Sequence, residues 1–294
     1  MNKTISIENI RNHVQILSEE IGSRSLSESV NLARAGDYIE QMFRSWGYNL
    51  HLQEFNACGV PTANITAAAK DRDVSSPALL LGAHYDTVSG TPGADDNASG
   101  VAVLLEVARV LAATASNSGR NLLFTAFSAE EPPAFSTREM GSRVFVRSLE
   151  DSGWKIEGAL VLEMVGYYRS ESGSQHIPLF LKPFGFPTTG DFIAVIGNGN
   201  SRDLVKGVVK GIEGSDAGLP VSHLTIPGSG ALVPEARLSD NASFWDAGIP
   251  AVMITDTSFF RNPHYHRSSD RIKTLDFESM GKLAAGLAHF MSGS

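Results

Sequence analysis

Short, continuous apolar runs alternate along this chain with segments of helical periodicity, and this alternation restricts its fold more than any other feature. Such runs are typical of strands that are covered on both faces. The strands predicted from them lie at 77–83, 122–127, 158–164, 192–196 and 250–254, and in the third the apolar run is 159–162. Apolar residues recur at helical spacing in 97–112, 203–212 and 276–290. The alternation predicts an α/β fold, a three-layer sandwich in which helices flank a mixed, mostly parallel central sheet.

Less regular segments complete the predicted order of elements. Two amphipathic helices open the chain, the first capped by Ser6 and the second capped by Ser27 or Ser29 and ending near Gly47. Further elements are strands at 49–54, 64–69 and 224–226, and short helices at 142–148 and 239–247. No Pro/Gly/Ser-rich linker separates two cores, so the chain is predicted to form one domain over residues 1–294.

Charge and composition disfavour several classes of partner. The net charge of −8 argues against nucleic acid, whose phosphates require clusters of Lys and Arg that this sequence lacks. No apolar run reaches the roughly 18 residues of a membrane-spanning helix. The first residues lack the apolar core of a signal peptide, so we expect a cytoplasmic protein, or a secreted or periplasmic one that has lost its signal. Cys58 is the only cysteine, and any metal must therefore be bound by His and carboxylates.

Polar side chains follow three of the predicted strands at the point where each strand ends. His84, Glu130 and Glu163 lie at or just after the carboxyl ends of their strands, and ligands bind at this edge of open α/β sheets. Asp86 lies two residues after His84, so in an extended segment the two side chains share a face. A carboxylate in that place can fix the tautomer of a metal-bound imidazole.

Further acids extend this set, and spacing alone leaves their roles open. Asp95 and Asp96 open a helix, where either can cap free N–H groups or ligate a metal. Glu130 and Glu131 form either a solvated acidic pair, or a pair in which one ligates a metal while the other faces a bound water. Glu163 follows four core residues, and its burial requires either a metal or an Arg.

Two histidines near the carboxyl end of the chain offer a last ligand. His264 and His266 alternate in sequence, so one can ligate a metal while the other covers the loop. Asp270, four residues after His266, is placed to orient that ring. Motifs for a nucleophilic serine, a P-loop or a dinucleotide site are missing from the sequence, and Cys58 has no neighbouring His.

Taken together, these segments resemble the M28 family of zinc aminopeptidases. The matching segments are 82–87 (GAHYDT), 92–100 (PGADDNASG), 127–131 (FSAEE), 162–166 (LEMVG) and 265–270 (YHRSSD). The resemblance extends from about residue 30 to the end of the chain. It implies the zinc-peptidase, phosphorylase/hydrolase-like form of the three-layer sandwich.

The resemblance also assigns metal ligands among the residues that spacing left open. It implies two Zn²⁺ ions bridged by Asp96, one of them also held by His84 and Glu163 and the other by Glu131 and His266. Other divalent metals are compatible with the same ligands. The peptide bond that follows Asp96 is expected to be cis.

Catalytic roles follow from the same resemblance. Glu130 is the expected general base, and Tyr265 is expected to hydrogen-bond the developing oxyanion. Their spacing from the histidines, as described above, predicts that Asp86 and Asp270 orient the histidine ligands.

Two positions depart from the pattern of the family. Glu163 stands where Asp is usual, which lengthens the ligand by one methylene. Asn241 stands where His is more frequent.

The implied activity is a metal-dependent aminopeptidase that hydrolyses the N-terminal bond of a peptide or a small aminoacyl amide. Three alternatives stay open. The first is hydrolysis of another amide, as by a carboxypeptidase or amidohydrolase, and the second is a glutaminyl-cyclase-like aminoacyl transferase with a single zinc. The third is a binding domain that has lost catalysis. Substrate preference is expected to depend on loops at 180–190 and 214–236, whose sequence does not reveal it.

Overall fold

The computed structural model describes residues 4–70, 76–112, 120–178, 182 and 185–293, and one eight-stranded sheet runs through them. The strands are β1 (Asn49–Ala57), β2 (Val60–Ala68), β3 (Ala78–His84), β4 (Asn121–Phe127), β5 (Ile156–Leu162), β6 (Ile193–Asn198), β7 (Val221–Ile226) and β8 (Ala251–Thr255). The helices are α1 (Ile7–Gln15), α2 (Ser29–Ser45), α3 (Gly100–Ala112), α4 (Gly141–Ser152), α5 (Arg202–Gly214), α6 (Asn241–Asp246) and α7 (Phe277–Ser292).

The strand order is β1-β2-β4-β3-β5-β8-β6-β7. The four central strands β4, β3, β5 and β8 are parallel to one another, so their carboxyl ends lie at one edge of the sheet. Antiparallel pairs flank this centre, because β2 opposes both β1 and β4 and β6 opposes β8. The predicted α/β fold with a mixed, mostly parallel sheet is confirmed.

Helices cover both faces of the sheet, which explains the continuous apolar runs. Every residue of β3 is buried, and alternate side chains point to opposite faces. Leu79 and Leu81 pack in a core with residues of α1, α2, α3, α5 and α7, whereas Leu80 packs with Phe145 of α4 and Phe244 of α6. Full burial of each such side chain contributes roughly 2 kcal/mol to stability.

Local capping was only partly predictable. Ser6 caps α1 as expected, because its side chain accepts a hydrogen bond from the backbone N–H of Asn9. The predicted cap of α2 is wrong, since neither Ser27 nor Ser29 serves as one. Instead, Ser25 accepts a hydrogen bond from the N–H of Ser27 at a 3₁₀ turn, and α2 continues from that turn without a side-chain cap.

The helix predicted at 97–112 begins differently. A wide turn over Ala94–Ser99 precedes α3, and within it Asp96 and Asn97 have non-helical backbone angles. The peptide bond between these two residues is cis, as expected. This turn brings the Asp96 side chain to the edge of the sheet and not onto the helix.

The two loops expected to set substrate preference differ in how far the structure describes them. The segment 214–236 is not all loop, because β7 occupies its middle. In the other segment, residues 180, 181, 183 and 184 lie outside the described residues. No helix in the described ranges combines the length and the apolar character needed to cross a bilayer.

Gly82 gives a test of how tightly the centre of the sheet is packed. A Cβ at this position would lie 2.6 Å from Cε2 of Phe127 and 3.1 Å from Cδ2 of Leu80. We expect Gly82→Ala to lower the free energy of unfolding by about 1–3 kcal/mol, because the added methyl overpacks the core. Urea denaturation measures the loss.

Gly214 on α5 is the matched control. A Cβ there would meet no atom nearer than 3.6 Å, so Gly214→Ala is expected to cause no loss of stability beyond about 0.5 kcal/mol. Equal losses in the two variants would contradict the packing argument.

Candidate metal centre

The predicted ligands meet at the edge where the four parallel strands end. His84 is the last residue of β3, and Glu163 follows β5 directly. Glu131 lies four residues after β4, and Asp96 lies in the turn before α3. His266 lies in the loop after β8. Because these strands are neighbours, five residues from distant parts of the chain converge.

Asp96 stands between two groups of ligand atoms. His84 Nε2 lies 3.5 Å from Asp96 Oδ1 and 3.4 Å from Glu163 Oε2. On the other side, His266 Nε2 lies 3.2 Å from Asp96 Oδ2 and 3.4 Å from Glu131 Oε1. Each oxygen of Asp96 therefore faces a different imidazole, and the two groups share one carboxylate.

These separations fit two divalent cations. Ligand atoms that surround a tetrahedral zinc at about 2.0–2.1 Å lie about 3.4 Å from one another. Both ring nitrogens of His84 and Oδ1 of Asp96 are buried without a hydrogen-bond partner among the described residues. Buried polar atoms are ordinarily paired, so this set of unpaired N and O donors is arranged for cations.

The electrostatics agree with the geometry. Burial raises the pKa of Glu130 well above its usual value and raises that of Glu131 to about 7. Burial by itself would lower the pKa of His84, but the carboxylates of Glu163 and Glu130 outweigh it and raise that pKa. Burial therefore makes the ionised forms of Glu130 and Glu131 costly, and a bound cation would stabilise them.

Asp86 lies beside His84, as expected, but its carboxylate accepts hydrogen bonds from backbone N–H groups and not from the imidazole ring. Its Oδ1 is 3.6 Å from His84 Nδ1, which is too long for a hydrogen bond. The two oxygens instead accept hydrogen bonds of 3.0 Å from the backbone N–H groups of Glu130 and Glu131. Asp86 thus fixes the loop that carries both acids.

Asp270 does not orient His266, contrary to the sequence-based expectation. Its carboxylate accepts hydrogen bonds from the backbone N–H groups of Asp95 and Asp96, at 2.9 and 3.1 Å. Successive turns carry the chain back from His264 through Arg267, which buries Asp270 under the ligand loop. Asp86 and Asp270 therefore act alike, since each binds two consecutive N–H groups.

The residues that competed with the ligands in sequence lie outside both groups. Asp95 accepts hydrogen bonds from the N–H of Gly166 at 2.9 Å and from Asn262 Nδ2 at 2.6 Å. His264 points its Nδ1 at Ser269 Oγ, 2.9 Å away. Asp95 and His264 are thus bound to other groups, which keeps their side chains away from the ligand atoms of Asp96 and His266.

Sequence reasoning missed Arg24, whose side chain is fully buried beneath the centre. Its guanidinium donates to the backbone carbonyls of Leu17, Gly22, Tyr85, Pro92 and Gly93. Burial lowers the pKa of Arg24 to about 10, against the opposing effect of Asp270, Asp86 and Asp96, so it stays charged at neutral pH. The sequence did not single out this residue, because one Arg in an early loop belongs to no periodic pattern.

An apolar pocket adjoins the ligands. Glu163 and Tyr265 line both this pocket and the cleft over the ligand groups. The apolar pocket contains about 950 Å³ of space, including its open mouth. Alternate residues on one face of β6, β7 and β8 form its floor, among them Ala194, Ile196, Leu224, Met253 and Thr255.

Comparison with known proteins identifies related chains. A family model described as Peptidase family M28 matches residues 64–291. The uncharacterized protein YfbL of Escherichia coli K12 is 37% identical over 297 residues, covering 98% of this chain and 88% of YfbL. Leucine aminopeptidase 1 of Fusarium vanettenii is 26% identical over 230 residues, covering 73% of this chain but 52% of its own length. The chain therefore spans about half of the fungal enzyme.

Solved structures share the fold. The Legionella pneumophila LapA aminopeptidase superposes with a TM-score of 0.75 at 24% identity, over 98% of this chain and 70% of that one. The zinc aminopeptidase BSAP of Bacillus subtilis gives 0.73 at 18% identity, over 98% and 95%. A glutaminyl cyclase of Porphyromonas gingivalis gives 0.72 at 21% identity, over 98% of both chains. At these identities the likeness establishes the fold alone.

Arg24 provides a test of the support beneath the centre. We expect Arg24→Met to lower the free energy of unfolding by about 3–5 kcal/mol, because it leaves buried carbonyls unpaired and removes a buried countercharge. Denaturation in urea measures the change.

Arg34, an exposed residue of α2, is the matched control. Arg34→Met is expected to change stability by less than about 0.5 kcal/mol. A loss below about 1 kcal/mol in Arg24→Met would show that the buried guanidinium is dispensable.

Proposed function

The chain belongs to peptidase family M28, and we propose that it is an aminopeptidase whose centre holds two zinc ions. One observation carries this proposal: the two oxygens of Asp96 face two different groups of ligands, each completed by one His and one Glu. A carboxylate shared between two such groups is suited to a pair of metal ions, because a single ion in one group would contact only one of its two oxygens.

The ligand types favour zinc. Imidazole and carboxylate donors suit this ion, and structures with open catalytic zinc sites use three protein ligands each. His84, Asp96 and Glu163 would hold one ion, and Asp96, Glu131 and His266 the other. Two bound zinc ions would lower the pKa of a water molecule and polarise the scissile carbonyl.

Glu130 is our candidate for the general base. Its carboxylate lies outside both ligand groups, but Oε2 is 4.0 Å from His84 Nε2 and Oε1 has no hydrogen-bond partner among the described residues. In this place Glu130 can accept a proton from the attacking water and return it to the leaving amine. Its buried surroundings raise its pKa, which favours holding that proton between the two steps.

Tyr265 is our candidate for the donor to the oxyanion. It lines the cleft over the ligands, and its ring stacks on His266 with centroids 3.7 Å apart. Burial, reinforced by Asp96 and Glu163, raises the pKa of its phenol. The hydroxyl therefore stays protonated and can donate a hydrogen bond to negative charge that develops on the carbonyl oxygen.

The surroundings of the centre favour a free N-terminal residue as substrate. The acidic groups attract the protonated α-amine, and the adjoining apolar pocket can receive the side chain of the same residue. The glutaminyl-cyclase fold is equally close to this chain. Two complete ligand groups favour hydrolysis over a cyclase that uses a single zinc.

Hydrolysis of aminoacyl-p-nitroanilides tests the activity. We expect cleavage by zinc-restored protein but not by metal-stripped protein, and only for substrates with a free α-amine. Glu130→Gln is expected to reduce kcat at least about 100-fold, because the proton acceptor is removed.

Glu130→Gln is also expected to keep the full zinc content, since Glu130 belongs to neither ligand group. Glu150→Gln, an exposed change on α4, controls for the substitution and should retain activity. Cleavage of N-acetylated substrates at the same rate would contradict the aminopeptidase proposal and indicate hydrolysis of a different amide.

Zinc content tests the two ligand groups separately. Elemental analysis is expected to find two zinc ions in the wild type, one in Glu163→Ala or His266→Ala, and none in Asp96→Ala, because only Asp96 belongs to both groups. Glu163→Asp should retain both ions, since it restores the shorter carboxylate that is usual in the family.

His264→Asn controls for a nearby histidine outside the groups and should retain both ions. A wild-type content of one zinc would overturn the dinuclear proposal.

A further inference from the structure

The apolar pocket beside the centre contains a carboxylate that the proposed reaction does not use. Glu235 lines this pocket, together with apolar residues such as Val233, Ala236 and Leu238 from the same segment. It lies on a 3₁₀ turn over Pro234–Arg237. Glu163 lines the pocket as well, so a substrate residue held at the metal centre can extend its side chain toward Glu235.

One oxygen of the half-buried Glu235 side chain lacks a partner. Its Oε2 is shielded from solvent and accepts no hydrogen bond from any described residue. A shielded carboxylate oxygen without a partner carries an energetic cost, and pairing of the group with a cation would remove part of this cost. Unpaired buried acceptors of this kind are uncommon in proteins.

In the described part of the chain the basic residues that line the pocket are the histidines His176 and His223. No Lys or Arg lines the pocket within the described part of the chain. The nearest cation in sequence, Arg237, is engaged elsewhere, because its guanidinium donates to Ser229 O and to the carboxylate of Asp246. The pocket lining thus holds two carboxylates, Glu163 and Glu235, and two histidines, His176 and His223, so the Glu235 end disfavours an acidic substrate side chain.

The turn that carries Glu235 is held in place. Asn241 donates from Nδ2 to the carbonyl of Ala236 at 2.9 Å, and Ala236 itself is buried. The same Asn241 is one of the two positions that depart from the usual pattern of the family. A fixed backbone lets an acceptor discriminate between ligands, because little ordering is required when the ligand binds.

We propose that Glu235 is a specificity-determining residue that selects an N-terminal side chain with a long apolar stem and a cationic tip, that of lysine or arginine. The methylene stem would contact the apolar floor of the pocket, and the tip would pair with Glu235. This inference rests on the proposed aminopeptidase function and names the preferred substrate of the same site.

Two substrates that differ only in the tip test this inference. Lysine and norleucine p-nitroanilides share the butyl stem, so their ratio of kcat/KM isolates the amine. We expect the wild type to favour lysine by about tenfold or more, because a site with a free acceptor discriminates against an analogue without the donor. In Glu235→Leu the ratio is expected to fall to one or below, through loss of lysine cleavage while norleucine cleavage is kept.

Two further variants separate the effect of the Glu235 charge from a general effect of the substitution. Glu235→Gln keeps an acceptor but loses the charge, and an intermediate ratio is expected. Glu213→Leu, the same change at an exposed acid of α5, should leave the ratio unchanged. An equal fall of both substrates in Glu235→Leu would assign Glu235 a structural role and overturn the inference, as would a wild-type ratio near one.

Binding of the free amino acids separates this inference from the proposed function. Calorimetry with zinc-loaded protein is expected to show L-lysine binding more tightly than L-norleucine, with the difference lost in Glu235→Leu. This result without any peptide cleavage would support the inference and reject the aminopeptidase assignment. Cleavage of norleucine substrates with no lysine preference in either assay would support the aminopeptidase assignment and reject the inference about Glu235.

Discussion

Negative charge buried at one edge of the sheet is the constraint on which the rest of this structure depends. Five carboxylates there are nearly inaccessible to water: Asp86, Asp96, Glu130, Glu131 and Glu163. Burying such groups unpaired would cost more than the fold could tolerate. The molecule compensates them with two imidazoles, with backbone N–H groups and with the guanidinium of Arg24. In our proposal two cations complete this compensation. The buried carboxylates that would destabilise the fold when unpaired are then the same groups that bind the metals.

The loops around the centre are held by other charged groups. Asp86 and Asp270 each accept hydrogen bonds from two consecutive backbone N–H groups, and Arg24 binds carbonyls that flank the same loops. Ser239 in turn donates to Glu163 at 2.6 Å. Ligands become useful only when their own positions are fixed. The residues that fix them here are as deeply buried as the ligands themselves.

The candidate metal centre and the apolar pocket adjoin each other, because Glu163 and Tyr265 line both the pocket and the cleft over the ligand groups. A side chain bound in the pocket would therefore place the carbonyl of the same residue over the ligand groups. Binding energy gained away from the reacting bond can in this way be used to orient it. In our proposal the β8-β6-β7 end of the sheet serves substrate recognition, while the β4-β3-β5-β8 centre carries the groups proposed for the chemistry.

The sequence by itself determined the strands and the residue types at their ends. Continuous apolar runs mark strands covered on both faces, and His84 and Glu163 stand where two such runs end. The motifs also indicated Asp96 over Asp95, through resemblance and not through spacing. Only the tertiary structure decided the strand order, the contacts of Arg24 and the partners of Asp270, which lie 61 and 175 positions away in the chain. Local patterns report which face of an element is buried, whereas such contacts depend on how whole elements pack against one another.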